Sequence, residues 1–91
     1  MSIEYSRSFD PGALARRNML RMARQLRDQG HVYQAIYLLK EVLADYPYSP
    51  ESRMAVLEYA ALGEYLESKG MPHTALSMYK WLEQLSWRTQ R

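Results

Sequence analysis

The chain has no cysteine. Disulfide staples and thiol chemistry are therefore excluded, and the lack fits a reducing compartment such as the cytoplasm. Glycine is scarce, and Gly12, Gly30, Gly63 and Gly70 stand apart from one another. No glycine-rich loop of the phosphate-cradling kind can be built from them. No run approaches eighteen consecutive apolar residues, so no membrane-crossing helix is expected. Residues 1–10 are polar, contain Glu4 and Asp10, and lack the apolar run of a signal peptide. Alternating strand patterns and Asn-Gly turns are missing too. An excess of one charge is nearly absent: the net charge is +2, which makes no general case for nucleic acid or membrane. His31 and His73 follow glycines at turns, without cysteine or carboxylate neighbours at metal-ligand spacing. Serine, aspartate and glutamate are scattered without a nucleophile, base and orienter in sequence. The expectation is a protein that is not an enzyme and holds no metal or cofactor.

What is present is helical. With 91 residues, 47% hydrophobic and 24% charged, the chain suits one ordered domain. Asp10 and Pro11 form a cap-plus-proline start for a first helix. Its stripe is Ala15, Met19, Met22, Ala23 and Leu26, and Gly30 ends it. A second helix runs from about 31 to 45, with Val32, Ala35, Ile36, Leu39, Val42, Leu43 and Tyr46 on its apolar face and Pro47 as its stop. Ser49 and Pro50 restart the plan. Ala55, Tyr59, Leu62, Gly63 and Leu66 make the third stripe, and Gly70 closes it. Pro72 opens a fourth helix with Ala75, Met78, Tyr79, Leu82 and Leu85. Gly30 and Gly70, Ala35 and Ala75, Leu26 and Leu66, and Lys40 and Lys80 all recur at an offset of forty. The fold class is all-α: two antiparallel helix-turn-helix hairpins, four helices, joined by short turns. An N-terminal arm covers 1–10 and a single helical domain 11–91, with repeats at about 11–47 and 50–88.

These residues resemble the tetratricopeptide repeat, whose pattern is W-x2-L-G-x2-Y-x3-G-x-Y-x2-A-x3-F-x2-A-L-x3-P. Met19, Met22, Ala23, Leu26, Gly30, Val32, Ala35, Leu39, Val42, Leu43 and Pro47 fill its sites once. Tyr59, Leu62, Gly63, Leu66, Gly70, Pro72, Ala75, Tyr79 and Leu82 fill them again, with Glu83 and Trp87 where the pattern has Leu and Pro. The family's period is ~34 residues, against forty here. Small residues at Ala23, Gly63, Ala35 and Ala75 would let the helices of each hairpin approach closely.

Arg16, Arg17, Arg21, Arg24 and Arg27 share an arc of about 140° on the first helix, opposite the Met19, Met22 and Leu26 stripe, with Leu20 inside it. The resemblance implies that this side lines a concave peptide groove. On that basis Arg17, Leu20, Arg24, Arg27, Leu57, Ala60, Glu64 and Glu67 form the partner-binding set. Arginine forks suit an acidic or C-terminal peptide. Two plainer readings stand beside this one: a solvated charged face, or pairing of Arg24 and Arg27 with Glu64 and Glu67 across the two helices. The last helix is rich in apolar residues, and Met78, Trp81, Leu85 and Trp87 are its candidate surface for self-association or docking. Tyr33, Tyr37, Tyr46, Tyr48 and Trp87 are candidate exposed aromatics. The expected function is that of a small adaptor or chaperone-like protein binding a partner segment, as a homo-oligomer or within a complex. The alternatives are a structural subunit of a larger assembly and, third, a polyanion binder using the arginines.

Overall fold

The computed structural model describes residues 10–45 and 49–89, with side chains described through Leu85. Four helices follow in order: α1 (Pro11–Asp28), α2 (Val32–Asp45), α3 (Pro50–Ser68) and α4 (Pro72–Thr89). The class is all-α, as the spacing predicts. Residues 1–9 of the arm, and Tyr46, Pro47 and Tyr48, lie outside the described residues.

Helices α1 and α3 start where their cap chemistry directs. The Asp10 carboxylate accepts the Gly12 N–H at 3.0 Å, and Pro11 occupies the first turn. Ser49 Oγ accepts from the Ser52 N–H at 3.1 Å, and Ser52 Oγ donates back to the Ser49 carbonyl at 2.7 Å. The two hairpin turns are built alike. Gly30 and Gly70 have φ of 87° and 82°, a conformation open to glycine but strained for other residues. At the first turn His31 N–H reaches the Leu26 carbonyl at 2.7 Å and Gly30 N–H the Arg27 carbonyl at 3.0 Å. At the second, Met71 N–H reaches Leu66 at 2.9 Å and Gly70 N–H reaches Glu67 at 3.1 Å. This double bond to the last turn is the Schellman motif, repeated at an offset of forty.

Each hairpin packs α1 on α2 and α3 on α4, and α3 also packs against both helices of the first hairpin. The core joins Leu20, Ala23, Ala35, Leu39, Val42 and Leu43 to Ala55, Tyr59, Leu62 and Leu66. Tyr59 is fully buried, and its hydroxyl donates to the Met78 carbonyl at 3.1 Å. Burial alone pushes that phenol up to about 12. The Trp81 ring lies 5.5 Å from the Tyr59 ring, tilted by 40°. Within the second hairpin, Tyr79 passes so close to Gly63 that an added Cβ would stand 2.7 Å from its ring. The small residue at the helix crossing leaves the room that the Tyr79 ring occupies.

Two expectations are corrected. Of the expected α1 stripe, Ala23 is buried and Met19 and Leu26 pack partly buried against the core, but the stripe does not hold at Ala15 and Met22, and the arginines are not all opposite it. Arg16, Leu20 and Ala23 are the buried residues of α1, while Ala15 and Met22 are exposed. The reason is a second neighbour: α1 packs against α3 as well as α2, which turns its buried sector toward Leu20. On α4, Met78 is buried rather than presented for docking, and Trp81 and Leu85 are partly buried against the core. The second hairpin folds back far enough to cover them. The side chain of Trp87 lies outside the described residues.

Candidate protein-interaction face

The arginines of α1 divide between a seam and an open face. Arg16 is buried in the seam, with Nε 2.8 Å from Glu51 and a terminal nitrogen 3.1 Å from Asp10. The Arg16 guanidinium holds the Glu51 and Asp10 carboxyls below their ordinary range, and the hydrogen bond to Glu51 raises Arg16 in turn. Glu58 accepts from two arginines at once: Arg24 Nε at 2.8 Å and Arg27 at 2.7 Å, one on each carboxylate oxygen. These contacts clamp α1 to α3 along one side.

The pairing of Arg24 and Arg27 with Glu64 and Glu67 is therefore replaced by pairing with Glu58. By the 100° helical step, Glu67 points about 180° and Glu64 about 120° away from Glu58 on α3. Both are exposed on the side of α3 that faces away from α1. Their carboxylates lie near Tyr79, whose phenol is raised first by burial and then by Glu67 and Glu64. Ala60, half-buried, shares that far side. Leu20 lies in the core rather than in a groove. Of the eight residues expected to line one groove, Arg17 and Leu57 remain on a common open face with the rim formed by Arg24 and Arg27. Ala60, Glu64 and Glu67 do not join them.

That open face has members that helical spacing alone did not single out. On α3, Met54, Leu57, Ala61 and Tyr65 fall within an arc of about 80°, and all four are exposed, Leu57 at 72%. The opposite side of the same helix carries Ala55, Tyr59, Leu62 and Leu66 in the core. Helix α3 is apolar on two sides, and only one is used internally. The equivalent arc of α1, forty residues earlier, holds Leu14, Arg17, Arg21 and Gln25, all exposed. Arg17 and Arg21 enter no ion pair among the described residues. Arg17 Nε reaches its own helix at the Ala13 carbonyl, 3.4 Å away, and Arg21 donates to the Asn18 side chain. An apolar stripe thus runs beside two guanidinium groups. At its far end a cavity of about 150 Å³ is lined by Arg27, Val32, Ala61, Leu62 and Tyr65. A cavity of that volume accepts a group the size of benzene.

No family model matches the chain, and neither a curated protein nor a solved structure matches it.

Among the described residues, no group of three or more His, Asp or Glu side chains is placed to hold a metal ion. No helix among them is long and apolar enough to cross a membrane. Every buried side-chain nitrogen or oxygen among them has a partner. The sequence did hold a signal for Glu58. Positions forty apart point the same way in equivalent hairpins, so Arg24 and Glu64 cannot face each other. The partner of Arg24 must come from the other side of α3, where Glu51 and Glu58 sit two turns apart.

Proposed function

We propose that this chain is a non-catalytic, cytoplasmic protein-interaction module of tetratricopeptide-like build, an adaptor or chaperone-like protein that holds a short segment of a partner. The duplicated helix-turn-helix plan, with its repeated glycine turns, supports the repeat reading. The observation that carries the binding reading is the second apolar side of α3. Met54, Leu57, Ala61 and Tyr65 are exposed beside Arg17 and Arg21. A solvated helix has no need of such a stripe, and contiguous exposed apolar surface marks interaction sites. The partner segment is acidic, with an apolar residue. Its carboxylates meet Arg17 and Arg21, and its apolar side chain enters the cavity at Val32, Leu62 and Tyr65.

A display library of random peptides with free C-termini tests this on the intact chain. Selected peptides should be enriched in Asp and Glu around one large apolar residue. The double variant Arg17→Glu/Arg21→Glu should lose at least about tenfold in affinity, equivalent to ~1.4 kcal/mol. Selected peptides without acidic bias, or binding unchanged in the double variant, would refute the reading.

A further inference from the structure

The two hairpins meet along a seam, and the offset of forty says what each half of that seam becomes at the ends of the molecule. The first hairpin shows the second its Arg16, Leu20, Arg24 and Arg27 from α1, with Ile36 and Lys40 from α2. At the same positions the second hairpin carries Val56, Ala60, Glu64, Glu67, Leu76 and Lys80. These face the side where a third hairpin would follow. Leu76 is 51% exposed, whereas its counterpart Ile36 is 7% exposed. The mirror statement holds at the other end. The second hairpin shows the first its Glu51, Ala55, Glu58, Leu62 and Trp81, and the counterparts are Pro11, Ala15, Asn18, Met22 and Glu41. Met22 is 50% exposed where Leu62 is 3% exposed. Both ends keep apolar residues at seam positions, and neither is covered within one chain.

The charged contacts of the seam have complementary counterparts between the two ends. The buried pair Arg16–Glu51 becomes Val56 against Pro11, apolar against apolar. The clamp of Arg24 and Arg27 on Glu58 becomes Glu64 and Glu67 against Asn18, whose side-chain amide can donate to a carboxylate. Lys40 above the Trp81 ring, at 5.1 Å, becomes Lys80 against Glu41. Three charged contacts out of three map onto pairs that attract or exclude water together. An array end built only to face water has no reason to preserve such matching.

We propose that copies of this chain stack head to tail, the open face of the second hairpin covering the open face of the first hairpin of the next copy, in the register of the internal seam. The occupant of each open end is another copy of the same chain. The contact is heterologous, so it propagates rather than closing as a two-fold dimer. It leaves Leu57, Tyr65, Arg17 and Arg21 uncovered and is independent of the peptide reading above.

Light scattering coupled to size-exclusion chromatography on the full chain, over a range of concentrations, is the test. The wild type should grow in mass with concentration. Leu76→Arg blocks one end and Met22→Arg the other. Both side chains are exposed, so both variants should keep wild-type helicity by circular dichroism. Each alone should be monomeric. Mixed in equal amounts, they should form a species of twice the chain mass and grow no further, because one intact end of each remains. A wild type that stays monomeric at every concentration overturns the proposal and leaves the acidic end for a basic helix of another protein. A dimer that survives in Met22→Arg alone overturns it in favour of a symmetric contact, and a mixture that stays monomeric overturns it as well.

Discussion

Met22 and Leu62 hold the same place in their hairpins, four residues before the final leucine of the helix and eight before the turn glycine. One is half exposed and the other is core. Ala15 and Ala55 repeat the contrast: Ala15 is exposed and Ala55 fully buried. Local pattern is the same in both hairpins, and so is local structure. What differs is that the second hairpin has a neighbour on that side and the first does not. In a repeat, apolar periodicity marks the sides that can be buried, and the count of neighbours decides which are.

That comparison can be broken by truncating the same position twice. Leu62→Ala should cost about 3 kcal/mol, the usual loss for a buried leucine. Met22→Ala should cost no more than about 0.5 kcal/mol, as surface changes do. Denaturant unfolding of both variants at a concentration where the chain is monomeric would reveal the gap. Equal losses would mean that both hairpins are buried alike and that the contrast is wrong.

A smaller effect sharpens the comparison at the helix crossings. Gly63→Ala forces a Cβ into the Tyr79 ring and should cost about 1–3 kcal/mol. Its counterpart already bears the extra methyl, since Ala23 is buried in the core without strain on the backbone. Gly63→Ala combined with Tyr79→Leu, the residue type of the counterpart Leu39, should recover much of the loss. Thermal melts of the single and double variants would measure the recovery, and none at all would show that the ring is not the obstacle.

The smallest effect concerns acid. Glu51 is held below its ordinary range by Arg16, so its contribution is present above the usual carboxylate range and is lost as pH falls through its lowered value. The counterpart Pro11 has no such group. Melting temperature should therefore fall on acidification below about pH 5, and less steeply in Glu51→Gln. That variant should start lower at neutral pH, because Arg16 then lacks its carboxylate. Parallel acid slopes for the two proteins would remove Glu51 from the account. Asp10, also lowered by Arg16, contributes with the same sign and remains in both.

Much of the fold was legible residue by residue. Asp10 with Pro11, Ser49 with Pro50, and the two glycines at positive φ set the helix ends by local chemistry. Gly63, Ala23, Ala35 and Ala75 were legible as crossing points because only small residues let helices touch. The candidate face was less so. Leu57 and Arg17 were legible as members of an open face, yet nothing in the spacing singled out Met54, Ala61 and Tyr65, because only the packing of the opposite side of α3 leaves theirs open. Leu20 and Arg16 were misread for the opposite reason, since an arginine-rich arc suggests solvent and here it meets Glu51 and Glu58.

By itself the sequence determined four helices, the caps and glycine turns that bound α1 and α3, and the pairing of neighbours into hairpins, because these depend on residues a few positions apart. Only the tertiary structure decided which second side of α1 is buried, which carboxylate answers Arg24 and Arg27, and which apolar stripe of α3 is left open. Those outcomes depend on how one hairpin is rotated against the other, and that rotation is set by packing among residues some thirty or more positions apart.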